Sequence, residues 1–172
     1  MPTYRADNAE CWIFTFKEGL LSKIAHDLKI RVGTFEVTVE EGRVEGTFDP
    51  TSLRVECARQ DGRDSPSTLS ASDKKKIEGN IQKDVLETKR HRDVRFVSSE
   101  VAIEGERATV KGDLTLHGTT RPITATVQKS DGRWVTELRL HQPDFGIKPY
   151  SAMLGTLKVQ PTLTVQLSVP AE

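Results

Sequence analysis

Apolar and polar residues alternate with a period of two through most of this chain. In "GDLTLHGTTRPITATV", residues 112 to 127, Leu114 and Leu116 alternate with Asp113, Thr115 and His117. The pattern breaks at Gly-Thr-Thr-Arg-Pro and resumes at Ile123, Ala125 and Val127. This is a hairpin with one dry face and one wet face. "CWIFTFK" (11–17) is a strand with Trp12, Phe14 and Phe16 on one face. "EGLLSKIA" (18–25) is a connection with room for a helical turn. In "HDLKIRV" (26–32), His26, Leu28, Ile30 and Val32 share one face and Asp27, Lys29 and Arg31 the other. After Gly33-Thr34 come Phe35, Val37 and Val39, then a turn and Val44, Gly46 and Phe48. Asp49-Pro50 breaks that strand, and Leu53, Val55 and Cys57 mark the next. Further strands are expected at 93–98, 100–105, 107–118, 121–128 and 134–140, and Leu163, Val165, Leu167 and Val169 align in a last one.

The period changes clearly once. After the loop-like segment 58–68, Ile77, Ile81 and Val85 fall four apart with Leu86 adjacent, which predicts a helix with a narrow apolar stripe. Ser70, Ser72 or Asp73 can cap its start. Lys74, Lys75 and Lys76 oppose its dipole, and Gly79 weakens it.

About ten strands and one inserted helix predict an all-β antiparallel barrel or a sandwich. Closure into a barrel removes exposed strand edges. The run from Ala108 to His117 is about 33 Å long, or about 25 Å along a barrel axis when tilted by about 40°. A barrel that tall, of about eight strands, can hold one slender ligand.

Composition narrows the functional classes. The 172 residues suffice for one domain with a real core. The net charge is +0, with 25 basic and 25 acidic residues, so neither a nucleic-acid-binding block nor an acidic tail is expected. Lys74-Lys75-Lys76 and Lys89-Arg90-His91-Arg92 are short and read as solvated faces. An apolar content of 35% fits a half-wetted sheet, or an interior partly filled by a ligand. Cys11 and Cys57 read as small buried hydrophobes, with a disulfide left open. No secretory signal and no run of membrane-spanning length is visible. The expected location is therefore cytoplasmic as the sequence stands, or periplasmic if a leader was removed.

Little in the sequence carries catalytic chemistry. His26 should point inward with Leu28, and Asp27 outward, which argues against a His-Asp catalytic pair. His26 then reads as a rim histidine bonded to backbone or water, as a head-group contact, or as a general base or metal ligand. His117, in phase with Thr115, should face solvent, His91 lies in a basic loop, and no histidine pair has metal spacing. A metal site would need distant histidines to converge. Nucleophile elbows and phosphate loops are absent. No catalytic residue, metal or cofactor is assigned. Lys17, Arg54 and Lys148, with His26, are candidates for a polar head group. The aromatic residues Trp12, Phe14, Phe16, Phe35, Phe48, Phe96, Trp134 and Phe145 are candidate core. In a barrel the core and the ligand cavity share a face, so these, with Leu28, Ile30, Val37, Leu114, Leu116 and Ile147, are also the candidate cavity wall.

Three segments together carry a resemblance: "VLETKRHRDVRFVSSEV", "GDLTLHGTTRPI" and "PDFGIKPYSAMLG…LKV". Their order and spacing, within a match from Tyr4 to Val169, resemble the YceI-like family of bacterial polyisoprenoid-binding, lipocalin-like proteins. The resemblance implies an extended eight-stranded antiparallel barrel with a helix beside it. It also implies a long isoprenoid or fatty chain inside the barrel, and a homodimer. The segment "ARQDGRDSPSTLSASDKKKIEGNIQKDVL" departs from the family pattern, so the cavity mouth is expected to differ. The expected function is a non-enzymatic lipid carrier. Its rivals are a lipid-directed enzyme with His26 as base, and a structural or stress-related dimer with a filled barrel. The inward glycines Gly46 and Gly112 favour open space over filling.

Overall fold

The computed structural model describes residues 2–18, 26–152, 155 and 157–171. The strands are β1 (Thr3–Arg5), β2 (Glu10–Thr15), β3 (Asp27–Val32), β4 (Phe35–Glu40), β5 (Arg43–Phe48), β6 (Leu53–Gln60) and β7 (Arg63–Ser65). After helix α1 (Ala71–Asn80) come β8 (Val94–Glu104), β9 (Arg107–Leu116), β10 (Thr119–Ser130), β11 (Arg133–His141), β12 (Ser151–Ala152), β13 (Leu157–Lys158) and β14 (Thr162–Pro170). Most of the connection at 18–25, expected to hold a helical turn, lies outside the described residues.

The all-β class with one helix is as the sequence indicates, but the strand count differs. Twelve strands form one antiparallel sheet in the order β1-β4-β5-β8-β9-β10-β11-β14-β2-β3-β6-β7, and β12 pairs with β13 separately. The sheet curls into a half-barrel. Among the described residues no ladder joins β1 or β4 to β6 or β7, so eight strands closed into a ring is not the geometry found. The gap falls where the chain passes from β3 to β4. Gly33 and Thr34 turn that corner, their amides donating to the Ser52 carbonyl (3.1 Å) and hydroxyl (2.9 Å). A Cβ on Gly33 would stand 3.0 Å from the Ser52 carbonyl oxygen, which is why the corner takes glycine.

Helix α1 covers the open side. Ser70 caps it and completes a capping box with Asp73, in which each side chain accepts from the other's backbone amide at 3.0 Å. Past Asn80 the helix widens into a π turn over Ile81–Val85. That turn holds Ile81, Val85 and Leu86 on the side facing the sheet. The segments expected as two strands at 93–98 and 100–105 are the single strand β8, with a bulge between Ser98 and Glu100. A bulge leaves one residue unpaired and bends the strand, which reads in sequence as a break in alternation.

Buried side chains form two clusters. One centres on Ile30, Val32, Phe35, Val37 and Leu53, the other on Leu114, Leu140, Phe145 and Ile147.

Candidate functional site

Between the curled sheet and the helical segment lies a cavity of about 430 Å³. Its wall follows the period-two rule strand by strand. Cys11, Ile13 and Thr15 of β2 point in, as do Leu28, Ile30 and Val32 of β3. Phe96 of β8, then Val110 and Leu114 of β9 with Leu116 at its end, continue the surface. Ile123, Ala125 and Val127 of β10 meet Leu138 and Leu140 of β11 and Leu163, Val165 and Leu167 of β14. The helical stripe Ile77, Ile81, Val85 and Leu86 supplies the remaining side.

Of the candidate wall residues, Leu28, Ile30, Val37, Phe48, Phe96, Leu114, Leu116, Phe145 and Ile147 line this cavity. Trp12, Phe14 and Phe16 do not, because β2 lies in the opposite phase from the one its aromatic residues suggest. Ile13 faces Ile30 and Val165 across the sheet, and Cys11 faces Leu167. Trp12 and Phe14 are on the outer surface, covered by cations: the Lys29 ammonium sits 4.3 Å from the Trp12 ring centre and the Arg59 guanidinium 4.8 Å from that of Phe14. Asp64 ties these cations together, accepting from Lys29 at 3.2 Å and from Arg59 at 3.1 Å. The Lys29 hydrogen bond, aided by both positive charges, holds the Asp64 carboxyl below the usual carboxylate range. Phe35 is buried in the core behind the cavity, stacked on Phe48 with centroids 6.0 Å apart. Trp134 has the phase of Thr136, Leu138 and Leu140 but is not part of the lined length.

The two inward glycines do not simply leave space. A Cβ on Gly112 would stand 2.3 Å from the Val97 carbonyl oxygen and 2.6 Å from the Phe96 ring. A Cβ on Gly46 would lie 3.0 Å from the Phe48 ring. Each glycine makes room for an aromatic ring that forms part of the wall.

Among the polar candidates, His26 lines the cavity, while Lys17, Arg54 and Lys148 are exposed and do not. Arg54 bonds the carbonyls of Thr51 and Leu53 beside it. Lys17 takes part through its backbone, donating from its amide to Asp27 at 2.8 Å and accepting from the Gln160 side chain at 3.0 Å. The Lys17 amide thereby engages one oxygen of the Asp27 carboxylate. The polar lining that sequence reasoning missed is Asp49, Asn80, Gln142, Tyr150 and Lys158. Asn80 donates to the Tyr150 hydroxyl at 3.2 Å, joining the end of α1 to the segment before β12. These residues come from segments without alternation, so no periodic signal marks them. Asp49 accepts from both the hydroxyl and the amide of Thr51, which keeps its carboxyl below the ordinary range. Burial pushes the Cys11 thiol up to about 12, as expected for a sulfur in an apolar wall. Both cysteines are free and buried.

His117 is not solvent-facing: its side chain is 10% exposed and reaches Glu87 at 3.3 Å. His91 lies beside it, with ring centroids 4.2 Å apart.

A YceI-like domain model matches residues 4–171. A UPF0312 protein of Pseudomonas putida is 38% identical over 85 residues, 43% of this chain and 44% of that protein. A UPF0312 protein of Photorhabdus laumondii is 46% identical over 41 residues, 24% of this chain and 21% of that protein. These alignments span less than half the length of the curated relatives. Among solved structures, Burkholderia cenocepacia BcnA superposes with a TM-score of 0.66 at 15% identity, covering 95% of this chain and 96% of that one. A Campylobacter jejuni YceI protein gives 0.55 at 12% identity, covering 83% and 84%. At these identities the structural likeness concerns the fold.

Proposed function

The chain belongs to the YceI-like family, and from that premise we propose that it binds a long apolar lipid, isoprenoid or fatty in character, as a carrier rather than an enzyme. The observation that carries this reading is the cavity of about 430 Å³ walled by aliphatic and aromatic side chains from most of the strands and the helical segment. Its size falls in the range of about 300–1,000 Å³ usual for small-molecule sites. Binding comes from burial of alkyl surface. About 400 Å² of tail removed from water contributes about 10 kcal/mol before association costs. His26, Asn80, Tyr150 and Lys158, drawn from segments joined by the Asn80–Tyr150 bond and the Lys17–Val159 bridge, orient a polar head. They set direction more than affinity.

Native mass spectrometry of gently purified protein, followed by solvent extraction, tests the reading. The expected result is an adduct that denaturation releases into the organic phase, or saturable uptake of isoprenoid or fatty probes. Protein that is consistently ligand-free and takes up neither kind of probe overturns it.

A further inference from the structure

Glu87, His91 and His117 converge at a place that neither the fold nor the cavity requires, and we propose that they form a binding site for a divalent transition-metal ion, with Zn²⁺ as the reference ion. One ligand atom from each residue lies within 4.8 Å of those of the other two. His117 Nε2 and Glu87 Oε2 are 3.3 Å apart. That matches the edge of a tetrahedron with ligand bonds of about 2.0 Å, about 3.3 Å. Two imidazole nitrogens and one carboxylate oxygen are the donor set of a three-ligand zinc site with its fourth position open.

Three local structures bring the donors together. Glu87 follows the π turn as the residue that ends the helical segment, with a left-handed φ of +47°. The His91 amide donates to the Glu87 carbonyl at 3.1 Å, so the chain makes one further turn and His91 lies one turn along from Glu87. His117 comes from the other side, as the first residue of the two-residue turn joining β9 to β10. There His117 and Gly118 both have positive φ, +54° and +72°. Gly118 lets His91 in: a Cβ there would stand 3.0 Å from His91 Nδ1.

Residue choice supports a purpose beyond chain reversal. Among the described residues, four other than glycine have positive φ. Two of them, Asp61 and Asp131, precede a glycine in two-residue hairpins, where aspartate is an ordinary occupant. His117 precedes Gly118 in a hairpin of the same kind, and Glu87 alone stands at the end of a helical segment, where glycine or asparagine would serve the backbone at less cost. A salt link between Glu87 and His117 would use only those two residues, and His91 would be superfluous to it. Arg90 occupies the second Glu87 oxygen, Oε1, at 3.4 Å, on a side chain 71% exposed and free to turn away. Oε2 therefore faces the histidines. The bound ion would fasten the end of the helical segment, whose Leu86 lines the cavity, to the β9–β10 turn beyond Leu116.

The test uses tag-free full-length protein stripped of metal and titrated with Zn²⁺ by calorimetry. The expected result is one ion per chain with micromolar or tighter affinity, weakened by at least about tenfold in His91→Ala and in Glu87→Gln. His91 sits half-buried in a loop, and equal thermal melts of the metal-free wild type and His91→Ala show that the fold is kept. Co²⁺ substitution in the wild type reads the donor set without any variant: tetrahedral-type visible bands with no thiolate charge-transfer band are expected. Wild-type binding weaker than micromolar overturns the proposal. So does equal affinity in His91→Ala, or a thiolate band placing the ion on a cysteine.

Discussion

The Glu78 carboxylate, on helix α1, accepts the backbone amide of Val55 on β6 at 2.8 Å. A side chain thus stands where a neighbouring strand would have been. The relationship bears on how the sheet stops short of closing: β7 pairs with the far half of β6, from Ala58 to Gln60, and in the near half Glu78 of the helix takes the Val55 amide. Gln82 adds a second tie, donating to the Pro50 carbonyl at 2.8 Å.

Glu78→Ala leaves a part-buried amide without its acceptor. Loss of about 1–2 kcal/mol is expected, lowering the melting temperature by about 2–8 °C. Because α1 also walls the cavity, a bound lipid probe should dissociate faster from this variant. Thermal melts and stopped-flow release measure both effects. An unchanged melt would show that solvent replaces the carboxylate freely.

Gly112→Ala should be among the costliest small substitutions in the sheet. The added methyl meets the Val97 carbonyl oxygen at 2.3 Å as well as the Phe96 ring at 2.6 Å. Truncating the ring cannot relieve the backbone clash. A loss of about 1–3 kcal/mol is expected from overpacking, and Phe96→Leu should fail to rescue it. Full rescue in the double variant, measured by denaturant melts, would mean that the ring alone demands the glycine.

Cys11 reports on the cavity. With its thiol pushed up to about 12, the native protein should hold it neutral and resist alkylation at pH 8, while unfolded chain reacts. The folded pKa is raised, so its contribution to stability is complete below about pH 9, the ordinary thiol value, and is lost as pH rises from there toward about 12. A bound alkyl chain should slow residual labelling of Cys11 further. Mass-spectrometric labelling with and without a fatty probe measures this. Acceleration by the probe would contradict the placement of the sulfur in the wall.

Asp64 gives the outer face an acid-sensitive link. Its carboxyl is held below the usual range chiefly by the Lys29 hydrogen bond, so it stabilises the fold above about pH 4 and ceases to do so as pH falls through its lowered folded value. Protonation releases Lys29 from its position over Trp12. In a Trp134→Phe background, Trp12 fluorescence should therefore shift in acid before global unfolding, and Asp64→Asn should show the shifted signal already at neutral pH. A neutral-pH spectrum of Asp64→Asn identical to that of its parent would dissociate the carboxylate from the ring.

Ala125→Phe should fill the cavity from within. Its position on the inward face of β10 places the new ring in space that the sheet does not need for packing. Lipid-probe affinity should fall about tenfold or more while the melting temperature changes little. Undiminished uptake would put the ligand elsewhere.

How much of this was legible along the chain depends on how local each cause is. Alternation at Leu28 and Ile30, Leu114 and Leu116, and Ile123 to Val127 identified antiparallel strands and their inner faces, because side chains on a pleated strand must take opposite sides. The four-residue spacing of Ile77, Ile81 and Val85 identified the helix and the stripe it turns to the cavity. In β2 the same rule offered two apolar faces, one with Trp12 and Phe14 and the other with Cys11 and Ile13. The choice was made by the cross-strand partners Ile30 and Val165 and by cations from Lys29 and Arg59, which are distant in sequence. The polar lining from Asn80, Tyr150 and Lys158 was equally hidden: Asn80 ends α1 as a polar residue beside its apolar stripe, and the regular structure around Tyr150 and Lys158 is too short to have a period to read.

By itself the sequence determined the strands, the helix, their antiparallel class and the apolar character of the interior, each a consequence of residue spacing on a regular backbone. Only the tertiary structure decided which face of β2 turned inward, that α1 rather than another strand covered the open side, and that His91 and His117 met over Glu87. Those outcomes depend on contacts between residues far apart in the chain, and spacing along a chain does not encode distance through space.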